Sequence, residues 1–384
     1  MDFTTHVMDD TILPPQFRDS RWRRTLAARL LAWFDQHARD LPWRGTSDLY
    51  AIWISEIMLQ QTQVATVIPY YERFLSVFPN VKSLAAAPEQ QVLRLWEGLG
   101  YYRRARQLHA AAQTIVARHR GRFPQSIDDV RSLPGIGRYT AGAILSIGLD
   151  QRLPILEANT IRVLSRLSAF QGETTSSGGQ QFLWSAAEKL LPARRCGDFN
   201  QALMELGSEI CTPKSPACDC CPLARLCSTR ELGLQEDIPA AKKPKQYEEV
   251  TEAAVVIRRG DTVLLRQCQR GERWAGLWDF PRFSVPGGLN GQLARHVVEQ
   301  TRELTGVAIS RARELATLKH GVTRFRITLE VFTAAAASSR IKQGAWVALD
   351  ELGTYPLSTT GRKIARLLEG SHSPKRRKRK MTEK

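Results

Sequence analysis

The stretch that decides the fold of the first half of the chain is SIDDVRSLPGIGRYTAGAILSI, residues 126–147. Residues 126–129 form a capping box, which is typical of a helix start, and residues 138–147 have the apolar spacing of a second helix. Gly135 and Gly137 lie between them, where glycine permits a tight turn and helical N–H groups favour an anion. The sequence predicts a helix–hairpin–helix that binds DNA phosphate at these glycines, with an ordinary interhelical turn as the alternative.

The charge of the chain predicts a polyanionic partner. Its 384 residues carry a formal net charge of +17, and the isoelectric point is about 9.9. Residues 375–380 are six consecutive Lys and Arg residues, so most of the excess belongs to the rest of the chain. No apolar run is long enough to span a membrane. We expect a soluble, monomeric cytoplasmic protein that associates with the nucleoid.

Two kinds of periodicity divide the chain into domains. Helical spacing before residue 231 predicts an all-α domain. Strand-like runs at 253–257, 262–265 and 327–332, with one helix at 292–305, predict an α+β domain. The expected segments are an N-terminal extension (1–19), the helical domain (20–231), a linker (232–249), the α+β domain (250–370) and a disordered basic tail (371–384).

Four cysteines lie in one short loop, residues 211–227, with the spacing C-x6-C-x2-C-x5-C. They are Cys211, Cys218, Cys221 and Cys227. Thiolates at this density bind either zinc or an iron–sulfur cluster. Zinc sites usually pair two separated CxxC knuckles, so the crowding favours a [4Fe-4S] cluster. Disulfides are disfavoured because no secretory signal opens the chain.

The order of hairpin, acidic residue and four-cysteine loop resembles the endonuclease III superfamily of base-excision DNA glycosylases. Within it, the chain resembles the MutY family of adenine glycosylases. The matching stretches are residues 41–44, 53–64, 98–102 and 199–204. The resemblance implies a helix–hairpin–helix glycosylase core with an iron–sulfur loop, followed by a Nudix-like domain. It also implies hydrolysis of the N-glycosidic bond of adenine in double-stranded DNA, opposite 8-oxoguanine or guanine.

Two carboxylates are the candidate catalytic groups. Glu56 has apolar helical neighbours, which would raise its pKa and suit a general acid, although a surface glutamate fits the same pattern. The resemblance implies that Glu56 protonates adenine at N7. It implies that Glu157 stabilises the positive sugar. The family has Asp-Gly at this point, whereas this chain has Glu157 and Ala158, and the extra methylene moves the carboxylate.

Tyr139 decides between two kinds of glycosylase. Bifunctional relatives have a lysine at this point of the hairpin, and its amine forms a Schiff base with the sugar. A tyrosine cannot form an imine, so the sequence predicts a monofunctional enzyme with weak or no lyase activity. By the resemblance, Tyr139 and Asn159 both lie near the catalytic carboxylate.

Further residues are assigned to substrate binding by the resemblance. Trp43, Arg44 and Gln201 would line a pocket for the extruded adenine, which must leave the base stack to react. Gln61 and Tyr101 would wedge into the duplex where the adenine was.

The C-terminal domain resembles a Nudix fold but lacks the paired glutamates that hold magnesium, since residues 299–305 read EQTRELT. We therefore expect a binding domain. In the MutY family this domain inspects 8-oxoguanine with a Phe-Ser-His loop. Residues 322–324 read Val-Thr-Arg here, so Thr323 keeps a hydroxyl while the Phe and His are lost.

Three alternatives remain at this stage. An endonuclease III-type pyrimidine-lesion glycosylase is disfavoured by Tyr139 and by the second domain. A catalytically weakened mispair-binding protein is suggested by Glu157 and by residues 322–324. An iron–sulfur electron carrier fits poorly with the DNA-binding hairpin and the positive charge.

Overall fold

The computed structural model describes residues 12–240, 246–287, 289, 291–338 and 340–370. The contacts among them form two compact units. The first unit comprises residues 12–86 and 107–240, and the second comprises residues 87–106 and 246–370. The predicted basic tail, the first eleven residues of the N-terminal extension and residues 241–245 of the linker lie outside the described residues.

Helices make up the regular structure before residue 232. In chain order they are α1 (Pro15–Arg18), α2 (Ser20–His37), α3 (Leu49–Leu59), α4 (Val64–Val77), α5 (Val81–Ala86), α6 (Glu89–Trp96), α7 (Arg103–His119), α8 (Ile127–Ser132), α9 (Arg138–Leu149), α10 (Ala158–Leu167), α11 (Ser177–Leu190), α12 (Cys196–Glu209) and α13 (Ser228–Glu231). Helix α6 and the start of α7 belong to the second unit, and the other helices belong to the first. Within the described ranges, no helix combines the length and apolar character that a membrane crossing requires.

The predicted helix–hairpin–helix is confirmed. Ser126 caps α8, and its side chain accepts a hydrogen bond from the N–H of Asp129. Gly135 has a φ of +79°, which favours glycine, and a Cβ there would lie 2.7 Å from the Cβ of Gln107. Gly137 is the N-cap of α9. The turn therefore depends on glycine at position 135 for both its backbone conformation and its space.

The core of the first unit places α12 beside α2, α9 and α10. Its buried apolar side chains include Leu13 and Phe17, at the start of the described chain. Glycine permits the close approach of two helices, because a Cβ at Gly207 of α12 would lie 2.6 Å from the Cβ of Asn159 on α10. Large aliphatic and aromatic side chains fill the rest, so the helices that carry the candidate site are fixed by packing.

The second unit contains the α+β fold that the sequence predicts. Its elements after the linker are β1 (Glu248–Arg259), β2 (Thr262–Gln267), β3 (Trp278–Asp279), β4 (Arg282–Ser284), α14 (Leu293–Thr305), β5 (Arg313–Val322), β6 (Phe325–Ala335), β7 (Ala345–Ala348) and α15 (Thr359–Gly370). The strands form one sheet of order β3-β2-β1-β6-β5, with β4 beside β1 and β7 beside β2. Strands β1 and β6 are parallel, and the other pairs are antiparallel.

The apolar run in β1 has a simple explanation, since both faces of that strand are covered. Ala254 and Val256 belong to one buried cluster, which includes Ile364 of α15. Ala253 and Val255 point the other way, into a cluster that includes Val297 of α14. A strand that is buried on both faces reads as continuous apolar sequence rather than as alternation.

Candidate active site

A cavity of about 610 Å³ lies in the first unit between α3, α9, α12 and the N-terminus of α10. The predicted site residues that line it are Trp43, Arg44, Glu56, Gln61, Gly135, Gly137, Tyr139, Glu157, Asn159 and Gln201. The structure therefore brings together residues that lie up to 158 positions apart in the chain. Tyr101 and Thr323 belong to the second unit and are outside this cavity.

Glu56 is a buried acid. It lies on α3, is 5 % exposed, and its Oε2 accepts a hydrogen bond of 2.6 Å from the hydroxyl of Tyr139. Burial raises the pKa of Glu56 to about 7; the hydrogen bond from Tyr139 opposes this rise, and the charge of Glu157 adds to it. The carboxyl group is therefore partly protonated at neutral pH and can donate a proton.

Glu157 occupies the N-cap of α10 rather than a helix interior. Its Oε2 accepts from the N–H of Asn159 at 2.9 Å, and its Oε1 accepts from the N–H of Thr160 at 2.8 Å. The hydroxyl of Thr160 accepts in return from the N–H of Glu157. The pKa of Glu157 is raised above its ordinary value, because burial outweighs these two hydrogen bonds and the charge of Arg162, which lower it. Two backbone donors thus hold the longer carboxylate in one orientation.

Asn159 is held by a buried arginine. Its Oδ1 accepts a hydrogen bond of 2.8 Å from Arg162, whose guanidinium also donates to the carbonyls of Gly207 and Cys211, each at 2.6 Å. Arg162 is 8 % exposed. The helix that carries Asn159 and Glu157 is thereby tied both to α12 and to the cysteine loop.

The hydroxyl of Tyr139 remains a donor across the physiological pH range. Burial and the charges of Glu56 and Glu157 raise the pKa of Tyr139 well above its ordinary value. The same hydroxyl lies 3.6 Å from the Sδ of Met204 on α12. Tyr139 therefore fixes the position of Glu56, which is a role that a lysine could not fill without adding a charge beside it.

Two charged residues of this cavity, Glu205 and Arg39, are not predicted from the sequence. Glu205 is 1 % exposed and accepts from Arg39 Nη2 at 2.7 Å and from Arg44 Nη2 at 2.8 Å. Burial alone would raise the pKa of Glu205, but the hydrogen bonds from the two arginines outweigh it and bring the pKa to about 2. Glu205 follows Gln201 by four positions on one helix face, which was a usable signal. Arg39 had none.

Trp43 and Gln201 line the cavity in different ways. Trp43 is 7 % exposed and meets the ring of Tyr71 edge-on, with ring centroids 5.4 Å apart. Gln201 is half-buried, and its amide makes no hydrogen bond with the part of the chain that the structure describes. An indole ring and a free amide provide, respectively, an apolar surface and a pair of hydrogen-bonding groups for a planar base.

The hairpin turn presents backbone rather than side chains. Gly135 and Gly137 are exposed, and within the described ranges no side chain accepts a hydrogen bond from the first turn of α9. The twelve-residue helix α9 begins at this turn, so the positive end of its dipole lies there. The turn is therefore suited to an anion such as a phosphate.

The remaining predicted contacts lie on exposed turns. Gln61 and Tyr101 both have a positive φ, of 59° and 49°, and Tyr101 is 50 % exposed. Thr323 is exposed at the tip of the β5–β6 hairpin, with a φ of 52°, and its hydroxyl donates to the carbonyl of Val322. Tyr101 and Thr323 lie outside the cavity, whereas the exposed Gln61 also lines it.

The four predicted cluster cysteines have the donor chemistry of an iron–sulfur site. Burial raises the pKa of Cys221 to about 12, and Cys211, Cys227 and Cys218 each add to the rise. Cys211, Cys221 and Cys227 pack against one buried cluster, and Cys218 and Cys227 line one pocket, so the four thiols lie in one region. The guanidinium of Arg166 lies 3.3 Å from the Sγ of Cys211 and can donate to a thiolate. The thiol set fits a sulfur-ligated group in chemistry, although no group of His, Cys, Asp or Glu side chains in the described ranges is arranged to hold a metal ion.

Family comparisons match this architecture. Residues 54–189 match a family described as HhH-GPD superfamily base excision DNA repair protein, and residues 253–367 match a NUDIX domain. A structure described as a thermostable thymine-DNA glycosylase superposes on 55 % of this chain and 97 % of its own, with a TM-score of 0.50 and 30 % identity. The fold and the site thus define a base-excision DNA repair protein with an appended NUDIX domain.

Two relatives show which family of base-excision DNA repair proteins the chain belongs to. Adenine DNA glycosylase of Mus musculus is 35 % identical over 89 % of this chain and 77 % of its own length. Adenine DNA glycosylase of Buchnera aphidicola is 41 % identical over 67 % of this chain and 74 % of its own. The chain belongs to the adenine DNA glycosylase family, which consists of hydrolases that act on N-glycosyl bonds. This confirms the resemblance that the sequence motifs carry.

Proposed function

We propose that the protein removes adenine from double-stranded DNA where adenine is mispaired with 8-oxoguanine or guanine. The observation that carries this proposal is the pair formed by the buried, partly protonated Glu56 and the helix-capping Glu157, which share one cavity with Tyr139. One carboxyl group that can donate a proton and a second that can stabilise a positive sugar are suited to acid-assisted cleavage of a glycosidic bond.

The proposed reaction uses each side chain in a defined state. Glu56 transfers its proton to N7 of the adenine, so that the C1′–N9 bond can break with its electron pair on the base. The ionised Glu157 stabilises the positive charge that develops at C1′. A water molecule then adds to C1′ and gives a proton to the Glu56 carboxylate, which leaves an abasic site and free adenine and restores the acid.

Tyr139 supports a monofunctional enzyme. A lysine amine at this point would attack C1′ and form a Schiff base, which leads to strand cleavage. The Tyr139 hydroxyl instead donates to Glu56 and remains protonated. We therefore propose that the abasic product keeps its sugar–phosphate backbone.

The adenine pocket and the phosphate contacts complete the proposal. Gln201 and Trp43 provide hydrogen-bonding groups and an apolar wall for the base, and Glu205 holds Arg44 against the same cavity. The exposed turn at Gly135 and Gly137 contacts a DNA phosphate. The net charge of +17 supports this partner and a nucleoid-associated location.

The second unit inspects the opposite base in this proposal. Thr323 presents a hydroxyl at the tip of a hairpin, where it exchanges its bond to the Val322 carbonyl for one to the DNA. Gln61 and Tyr101 fill the gap in the duplex. These roles rest on the resemblance and on the exposure of the three side chains.

We propose that Cys211, Cys218, Cys221 and Cys227 hold a [4Fe-4S] cluster with a structural role. The mutual proximity of the four thiols supports this assignment. Elemental analysis of the purified protein separates the possibilities: iron and inorganic sulfide in equal amounts support the cluster, whereas one zinc per chain contradicts it.

A single-turnover assay tests the proposed activity. Duplexes that carry adenine opposite 8-oxoguanine, guanine or thymine are incubated with the protein, and alkali is added to half of each sample. We expect cleavage at the adenine opposite 8-oxoguanine and guanine only after alkali. Cleavage without alkali would contradict the monofunctional assignment, and tight binding without base release would favour a mispair-binding protein.

A further inference from the structure

Residues 87–106 pack on the sheet of the second unit, although they lie between helices of the first unit in sequence. Gln90 of α6 donates to the carbonyl of Gly276 at 3.0 Å and accepts from the indole N–H of Trp278 at 3.1 Å. Arg94 donates to the carbonyl of Gly353 at 2.7 Å. These bonds fix α6 to the end of the sheet.

A buried ion pair follows directly after α6. Arg362 of α15 binds Glu97 in a bidentate manner, with Nε at 2.6 Å from Oε1 and Nη2 at 3.0 Å from Oε2. The side chains are 13 % and 8 % exposed. Arg362 also donates to the carbonyls of Leu352 and Tyr355, at 2.8 Å and 2.7 Å. The N–H of Leu357 donates to Glu97 Oε2. Such a fully hydrogen-bonded pair holds its geometry closely.

The loop that follows Glu97 is conformationally restricted. Gly98, Gly100 and Tyr101 have φ values of 106°, 71° and 49°. The indole N–H of Trp96 and the guanidinium of Arg104 both donate to the carbonyl of Gly100. A non-glycine residue with left-handed φ is strained and persists only where its surroundings hold it.

The C-terminal end of the loop is attached to the same segment. The hydroxyl of Tyr102 lies 3.5 Å from the carbonyl of Leu357, the residue whose N–H binds Glu97. The exposed ring of Tyr101 therefore lies between two attachments. Arg362 binds Glu97 at the first directly, and it reaches Leu357 at the second through Glu97, which accepts from the Leu357 N–H.

We propose that Arg362 is a positioning residue for Tyr101 during extrusion of the target base. This inference rests on the proposed function, in which Tyr101 enters the duplex. The Glu97–Arg362 pair keeps the loop in its strained conformation before DNA binds, so that insertion of the ring costs less conformational entropy. The domain that carries Thr323 thereby also controls the residue that opens the stack.

The test measures base extrusion separately from chemistry. A duplex with 2-aminopurine in place of the target adenine becomes fluorescent when the base leaves the stack. Full-length protein carrying Arg362→Met is compared with wild type. We expect extrusion, and adenine release in a single turnover, to slow about tenfold. Arg295→Met is the matched control, because Arg295 pairs with Glu299 in the same unit but is 81 % exposed.

A double-mutant cycle with Tyr101→Ala decides the mechanism. If Arg362 acts through Tyr101, Arg362→Met slows extrusion in the wild-type background and adds nothing in the Tyr101→Ala background. An equal loss in both backgrounds, or no loss in either, overturns the proposal. Glu97→Gln provides the same comparison from the other side of the pair if Arg362→Met does not fold. Failure of the proposed function is distinct, since the wild type would then release no adenine.

Discussion

The candidate functional side chains are buried and fixed in the acid cavity of the first unit, but exposed at the β5–β6 hairpin of the second unit. In the cavity, Glu56 is buried and fixed by Tyr139, and Glu157 is fixed by two backbone N–H groups. At the hairpin tip, Thr323 is exposed and its hydroxyl binds only the backbone of its neighbour within the described part of the chain. Burial raises the pKa of Glu56, whereas the side chain of Thr323 is exposed.

In the proposed function, this difference corresponds to a division between reaction, in the cavity, and recognition, at the hairpin. A general acid requires a desolvated and rigid position, because its pKa depends on both. A group that inspects an approaching duplex must instead be accessible, and it finds its partner only on binding. Substitutions in the cavity should therefore change the reaction rate strongly, while those at the hairpin should change the choice of opposite base modestly.

Replacement of Glu56 has the largest expected effect. Glu56→Gln removes the proton donor but keeps the shape of the side chain, and we expect adenine release to slow about 10³-fold in single turnover. DNA binding should remain within a factor of a few. Glu72→Gln, on the exposed face of α4, is the matched control. A Glu56→Gln enzyme with more than about a tenth of the wild-type rate would exclude Glu56 as the acid.

Replacement of Glu157 has the second largest expected effect on the rate of adenine release. Glu157→Gln removes the negative charge that stabilises the sugar cation, and we expect a loss of about 10²-fold. The amide has one acceptor oxygen for two backbone donors, so the melting temperature should also fall slightly. Glu157→Asp keeps both the charge and the cap and should remain active. Full activity of Glu157→Gln would mean that the carboxylate has no catalytic role.

Glu205 tests the structural support of the cavity. Glu205→Gln leaves Arg39 and Arg44 without a buried anion, and we expect a destabilisation of about 3 kcal/mol in denaturant unfolding. Glu209→Gln is the control for burial, since the Glu209 carboxylate pairs with the same Arg39 at 2.9 Å but is 45 % exposed. Because the pKa of Glu205 is lowered from 4.5 to about 2, its contribution is complete above pH 4.5 and is lost as the pH falls towards 2. Equal stability of both variants would contradict this role.

A substitution at the tip of the β5–β6 hairpin should have the smallest effect on the enzyme. Thr323→Ala removes one hydroxyl, and a lost hydrogen bond of about 1 kcal/mol corresponds to about a fivefold fall in the preference for 8-oxoguanine over guanine. The rate opposite guanine should not change. Thr317→Ala, on strand β5 of the same hairpin, is the control. A Thr323→Ala variant that keeps the full preference would move lesion inspection to another part of the second unit.

The fold and the acid pair were accessible from sequence because each depends on local pattern. Gly135 and Gly137 between two helical periods define the hairpin, and the apolar run in β1 marks a strand that is buried on both faces. Glu56 and Glu157 were found through motifs that surround them in the chain. The sequence did not predict that Glu157 would cap α10, since glutamate is a less common N-cap than aspartate.

The contacts that sequence reasoning missed are those between distant segments. Arg39 meets Glu205 across 166 positions, and Glu97 meets Arg362 across 265. The spacing of Glu205 from Gln201 could have placed Glu205 at the cavity, but nothing in the sequence pairs it with Arg39 or pairs Glu97 with Arg362, because a charged residue that becomes buried has the same pattern as a surface charge. Only the three-dimensional packing reveals which charges are paired.

The pH dependence of adenine release tests the central claim, that the buried carboxyl group of Glu56 is the general acid of the reaction. The single-turnover rate opposite 8-oxoguanine would be measured from about pH 5 to about pH 9 for wild type and for Glu56→Gln. Since the pKa of Glu56 is raised to about 7, the wild-type rate should fall as the pH rises through that value, and the variant should lack this fall. The apparent pKa values read from the pH–rate profile describe the interacting Glu56–Glu157 pair as a whole and not either residue alone. A wild-type profile that stays flat across this range, or a variant with the same descending limb, would contradict the assignment.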